Sequence, residues 1–101
     1  MKNFYYDKGT MFVEKIAMKS IAESYGTPSY IYSRAALTNN FLSYLEALYN
    51  QPHKICYSVT ANSNIAVLGI LEKLCAGFDI VSVGACDRVI IVGGALKNII
   101  F

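Results

Sequence analysis

The chain has 101 residues, 54% of them hydrophobic and 16% charged, and nine basic against seven acidic side chains give a net charge of +2. That composition excludes a disordered polyelectrolyte, and without a basic cluster it gives nucleic-acid binding no electrostatic footing. The length allows one small domain or part of a larger one.

The opening stretch MKNFYYDKGTMFVEK lacks the continuous apolar run of a signal peptide. No later segment reaches the roughly 18 uninterrupted apolar residues of a membrane span, so a cytoplasmic protein is expected. Residues 11–18, MFVEKIAM, predict a short strand. KSIAESYG follows as a short helix, with Ile21 and Tyr25 one turn apart and Gly26 as its C-terminal cap. Thr27-Pro28 stops the helix and begins an extended segment. Residues 29–33, SYIYS, are β-branched and aromatic and predict a strand.

Ser33 is placed to cap a helix from Arg34 to about Tyr49. Leu37, Phe41, Tyr44, Leu45 and Leu48 fall at steps of three and four and form its apolar stripe. Asn50, Gln51 and Pro52 end it. KICYSVT predicts the next strand, then NSNIAVLGILEKLC a helix capped by Ser63, with Val67, Leu68, Leu71, Leu74 and Cys75 buried. Gly77 breaks that helix, FDIVSV (residues 78–83) predicts a strand, GACDRVIIVGG a short helix closed by Gly93-Gly94, and NIIF the start of another strand. From residue 54 the order is strand, helix, strand, helix, strand. Such alternation with short connections implies right-handed crossovers and a parallel sheet, whose helix-covered strands are near-continuous apolar runs. The fold class expected is therefore α/β. A closed (β/α)8 barrel takes roughly 250 residues, so these residues predict only its first part.

Cys56, Cys75 and Cys86 are odd in number and show no C-x-x-C spacing, which predicts buried, reduced thiols. His53 is the single histidine and has no cysteine near it in sequence, so no metal site is expected.

Four stretches taken together, SIAESYGTPSYIYS, ICYSVTANSN, GFDIVSVG and VGGALKNIIF, resemble in order and spacing the N-terminal part of the diaminopimelate decarboxylases. These are fold-type III, pyridoxal-phosphate-dependent enzymes related to ornithine and arginine decarboxylases and to alanine racemase. The resemblance implies that residues 1–32 contribute to a β-sandwich domain and residues 33–101 form the first part of the (β/α)8 barrel that holds the cofactor. It implies pyridoxal phosphate as cofactor and meso-diaminopimelate as the amino-acid substrate, decarboxylated to L-lysine in the last step of lysine biosynthesis.

Two departures qualify it. In the family the first barrel strand commonly ends Y-A-V-K-A-N, and its lysine forms the Schiff base. Here the residues are Tyr57-Ser58-Val59-Thr60-Ala61-Asn62, and the lysine position is Thr60. A lysine amine condenses with the cofactor aldehyde, whereas a hydroxyl cannot form an imine. Lys54 shares the strand parity but is expected toward the opposite end of the barrel, and Lys73 is expected as a solvated charge on the next helix. The family also carries a Gly-Glu pair after the second strand, where this chain has Gly84-Ala85. Asp79 and Ser82 match the pattern, and Asp79 is either a cofactor-pocket residue or a polar residue near a strand start. VGGA at residues 92–95 reads as a helix end rather than a phosphate loop.

With Thr60 and Asp79 as the positions facing the cofactor and no catalytic residue assigned, the chain reads as a truncated relative, inactive by itself. Two alternatives stand beside that reading. One is a non-enzymatic module that pairs with a full-length decarboxylase through an exposed strand edge, and the other is one piece of a split decarboxylase. Open strand edges and a high apolar content predict self-association in each case.

Overall fold

Asp7-Lys8-Gly9-Thr10 reverses the chain near its start. Lys8 and Gly9 take positive φ angles of 49° and 79°, a two-residue loop whose twist suits a hairpin. In the computed structural model, which describes residues 2–101, this loop joins β1 (Phe4–Asp7) to β2 (Thr10–Val13) antiparallel, with Asp7 opposite Thr10 and Phe4 opposite Val13. Tyr5 and Phe12 stack across the pair, ring centroids 5.6 Å apart. A second reversal at Glu14, φ 54°, leads into β3 (Ile16–Ala17). The single strand predicted over residues 11–18 is therefore two strands. Glu14 makes the difference: its amide donates to the Asn3 carbonyl at 2.7 Å, and its carbonyl accepts the Tyr5 hydroxyl at 2.7 Å.

Helix α1 (Met18–Tyr25) ends where predicted, and Gly26 at φ 86° donates its amide to the Ala22 carbonyl. The strand predicted at residues 29–33 does not form. β-branched and aromatic residues favour extended backbone, but a strand also needs a neighbour for its ladder, and this segment has none. Ser33 caps α2 (Arg34–Leu48), its Oγ accepting the Ala36 amide at 3.0 Å while its hydroxyl donates to the Glu14 carboxylate at 3.1 Å. That pair of bonds accounts for a buried serine. Along α2, Phe41 is buried and Leu37, Leu45 and Leu48 are half-buried, but Tyr44 lies in solvent.

One structural unit ends at Leu37, and a second runs Thr38–Phe101. The second follows the predicted alternation: β4 (Cys56–Ser58), α3 (Ile65–Lys73), β5 (Gly77–Asp79), α4 (Val83–Ile91) and β6 (Ile99–Ile100). The sheet order is β4-β5-β6 and both pairings are parallel. Tyr57, Phe78 and Ile99 stand side by side in register on one face, and Ser58, Asp79 and Ile100 on the other. Phe78 is fully buried, and Phe41, Val59, Val67, Leu68, Leu71, Ala76, Ile80 and Val89 are the other buried hydrophobic residues of this unit.

Both predicted strands are shorter than their apolar runs. β4 stops at Ser58, and Val59–Ala61 form a 3-10 turn. β5 stops at Asp79, and Val83 already belongs to α4. Parity nevertheless survives the turn: Val59 is buried while Ser58 and Thr60 are exposed.

Three further expectations need correcting. Asn64, not Ser63, caps α3, its Oδ1 accepting the Ala66 amide at 2.8 Å. Cys75 is not on the buried face. It takes φ 64° just beyond α3, its amide donating to the Glu72 carbonyl at 2.9 Å and the Ala76 amide to the Leu71 carbonyl at 3.1 Å. This is a Schellman ending with cysteine where glycine is usual, so the thiol is exposed, while Cys56 and Cys86 are only half-buried. Cys75→Gly is expected to stabilise the unit by about 1 kcal/mol, since a Cβ in the left-handed region carries a cost of that order. Denaturant unfolding checks it, and a destabilised variant would refute it.

Gly77, for its part, does not end the helix but opens β5. A Cβ there would stand 2.6 Å from Cys56 Sγ, 2.9 Å from Lys54 Cε and 3.2 Å from the Asn98 carbonyl, so any larger residue would push those two side chains aside. Gly93 (φ 97°) and Gly94 close α4 as predicted, Gly94 donating its amide to the Val89 carbonyl at 2.9 Å. Among the described residues no helix is long and apolar enough to cross a membrane.

Candidate functional site

The C-terminal ends of parallel strands are where an open α/β sheet exposes backbone and side chains to a ligand. In the second unit these are Ser58 on β4 and Asp79 on β5, opposite each other in register. Position 60 lies two residues beyond the end of β4, within the 3-10 turn. Thr60 Oγ1 lies 3.1 Å from Ser58 Oγ, so the two hydroxyls share one hydrogen bond. Ser58 thus stands between the two sequence candidates, bonded to Thr60 and opposite Asp79 in the ladder, on the face that strand parity gives it together with Thr60. Asp79 is half-buried and makes no ion pair among the described residues.

A hollow of about 280 Å³ lies beside Thr60, bordered also by Val59, Ser63, Val81, Ser82, Ala85 and Arg88. Asp79 does not line it. Arg88, on α4, donates from Nη1 to the Ser63 carbonyl at 3.3 Å and ties α4 to the loop that follows β4. Nothing in the local sequence marks Arg88 for this, because its partner is 25 residues away. Ser82 caps α4, its Oγ accepting the Ala85 amide at 3.1 Å. Ala85 is therefore the third residue of a serine-capped helix. A glutamate at that place, as the family resemblance implies, would complete the reciprocal Ser-x-x-Glu cap, which alanine cannot.

The chemistry open to this arrangement is limited by its functional groups. The threonine and serine hydroxyls and the arginine can donate hydrogen bonds to an anion, and the Asp79 carboxylate can accept them, but none of these groups can form an imine with an aldehyde. No lysine lines the hollow. Lys54 sits before β4, at the other end of the strand from position 60, with Nζ donating to the Lys97 carbonyl at 3.3 Å. The residues present do not fit covalent attachment of pyridoxal phosphate. Among the described residues no group of three or more His, Cys, Asp or Glu side chains is placed to hold a metal ion.

Comparison with known proteins carries the resemblance further. The family model for the pyridoxal binding domain of pyridoxal-dependent decarboxylases matches residues 34–101. The chain is 46% identical over 101 residues to a diaminopimelate decarboxylase of Pseudomonas fluorescens and 42% identical over 97 residues to that of Vibrio cholerae. Among solved structures it is similar to one from Aquifex aeolicus, with a TM-score of 0.90 and 34% identity over 96% of this chain. A diaminopimelate decarboxylase from M. jannaschii in complex with L-lysine gives a TM-score of 0.87 at 28% identity. The chain spans about a quarter of the length of these relatives: 24% of the Pseudomonas fluorescens enzyme and 24% of each of the two solved chains.

Proposed function

We propose, for a chain that belongs to the pyridoxal-dependent decarboxylase family, a diaminopimelate-decarboxylase-type barrel segment that cannot bind its cofactor covalently and does not decarboxylate by itself. Residues 1–32 are assigned to the β-sandwich part of that architecture and residues 33–101 to the opening strands of the cofactor barrel. One observation carries the reading. The residue in the family's Schiff-base position is Thr60, with its hydroxyl on Ser58 Oγ, and the same-face lysine, Lys54, is engaged at the far end of the strand.

Pyridoxal phosphate, when bound in such an enzyme, supplies the electron sink that stabilises the carbanion left by decarboxylation. What this chain's residues would contribute is narrower. Ser58, Thr60 and Asp79 present hydroxyls and a carboxylate at the strand ends, where they can orient a ligand but not bond to its aldehyde. Purified protein mixed with pyridoxal phosphate is expected to show no internal-aldimine absorption, and borohydride to leave the peptide containing Thr60 unlabelled. Peptide mapping separates this from scattered labelling of exposed lysines. A stoichiometric label on one lysine together with decarboxylation of meso-diaminopimelate would overturn the reading.

The alternative of a pairing module draws support from the second unit's surface, where Val81, Val83, Ile91 and Leu96 are exposed. Apolar side chains so placed favour self-association or a partner that covers the sheet. Light scattering of the isolated chain tests this, and a monodisperse monomer would count against it.

A further inference from the structure

We propose that Tyr57 and Asn62 form a clasp that fixes how residue 60 is presented, a positioning device that does not depend on which side chain stands there. The inference rests on the reading that position 60 is the family's Schiff-base position, and it concerns how the backbone holds that position.

Tyr57 belongs to the face of β4 that also carries Phe78 in register, opposite the face of Ser58. Its hydroxyl reaches forward to donate to the carbonyl of Asn62 at 2.8 Å, in a part-buried place. That bond closes a loop around the 3-10 turn Val59–Ala61. Asn62 is held from the other side as well, its Oδ1 accepting the Asn64 amide at 3.0 Å, and Asn64 in turn caps α3 through the Ala66 amide. A single residue is thus tied to β4 through its carbonyl and to α3 through its side chain. Val59, 1% exposed, anchors the middle of the turn in the core.

None of these bonds involves the side chain of residue 60, which is bonded to Ser58 Oγ outside the clasp. Short turns without such ties sample several backbone arrangements, and a reactive group on one loses the orientation that catalysis requires. The structure therefore assigns Tyr57 and Asn62 as positioning residues for whatever group occupies position 60. Replacement of the family's lysine removes the reactive atom and leaves its mount in place.

Amide hydrogen exchange on the 101-residue chain tests this. Tyr57→Phe, which deletes only the hydroxyl, is expected to speed exchange across residues 59–62 about fivefold, the worth of one hydrogen bond, while Gly77–Asp79 keep their protection. Asn62→Ala retains the carbonyl and loses Oδ1, so it is expected to loosen the Asn64 amide and spare residues 59–61. Thr60→Lys is expected to change none of these rates. The proposal is overturned if Tyr57→Phe leaves residues 59–62 unaltered. It is equally overturned if that variant also deprotects Gly77–Asp79, because Tyr57 would then hold the sheet rather than the turn. A change in the protection of residues 59–62 on Thr60→Lys would overturn the claimed independence. Borohydride mapping of the Thr60→Lys variant examines the identity of position 60 separately, so that reading can fail while the clasp stands, and the reverse.

Discussion

Pyridoxal phosphate followed by borohydride is expected to label residue 60 only in the Thr60→Lys variant, and that variant is still expected to release no carbon dioxide from meso-diaminopimelate. The first half follows from functional-group chemistry. An amine at that position can form the imine that borohydride reduces, and a hydroxyl cannot, so the label rises from background toward one per chain. The second half follows from what an amine alone leaves undone. Imine formation supplies the covalent link, but turnover also requires the phosphate and the pyridine ring to be held in place and charge to be stabilised in the transition state. The glycine-rich phosphate loop and the acidic partner of the pyridine nitrogen that the family resemblance implies are not among these 101 residues. Ala85 also stands where the resemblance implies a glutamate. Turnover by the variant chain alone would show that the strand ends of the second unit suffice for catalysis, and the inactive reading would fall.

Phe78→Ala is expected to cost about 3–5 kcal/mol, the range for deleting a buried phenylalanine, because loss of transfer free energy is joined by a cavity that the surroundings only partly fill. Phe78 is fully buried on the central strand, between Tyr57 and Ile99 in register. Domains of this size are stable by roughly 5–15 kcal/mol, so the substitution removes a large share of the total. Tyr44→Ala is the matched control. Tyr44 falls on the stripe predicted for α2 but is 63% exposed, and its loss is expected to change stability by no more than about 0.5 kcal/mol. Denaturant unfolding followed by tyrosine fluorescence and far-UV circular dichroism compares the two. Equal costs would mean that the stripe, rather than the observed burial, describes the core.

The ends of α1 and α4 and the start of α2 were the most legible boundaries, because their signals are local, whereas α3 is capped by Asn64 and not by the predicted Ser63. Ser33 at the start of α2 and the positive-φ glycines at positions 26 and 93 act through bonds within a few residues of themselves. The hairpin loop at Lys8-Gly9 carried an equally local signal, yet β1 was not predicted beside it. Strand extents were less legible. The apolar runs KICYSVT and FDIVSV continue past the points where the ladder stops, and SYIYS has strand composition with no neighbour to pair with. A strand is defined by a partner distant in sequence, so composition fixes a tendency to be extended and not the length that is realised. Arg88 and Asn62 were missed as site-forming residues for a similar reason, since their roles consist of bonds to a different element or to a folded turn.

Residue type and order are enough to give the order of elements in the second unit, the parallel alternation, the family, and the lack of an amine at position 60. Each of these depends on residue type and spacing alone, and no folding can turn a threonine hydroxyl into an amine. Only the folded arrangement places Thr60: in a 3-10 turn beyond a three-residue strand, hydrogen-bonded to Ser58, beside a hollow that Arg88 borders and Asp79 does not. It also decided that Gly77 opens β5 close against Cys56 and Lys54 rather than ending a helix, and that Cys75 takes the left-handed cap and is exposed. The physical reason is the same in each instance: these outcomes turn on which atoms from separate strands and helices come within a few ångströms of one another, a quantity set by packing and not by local propensity.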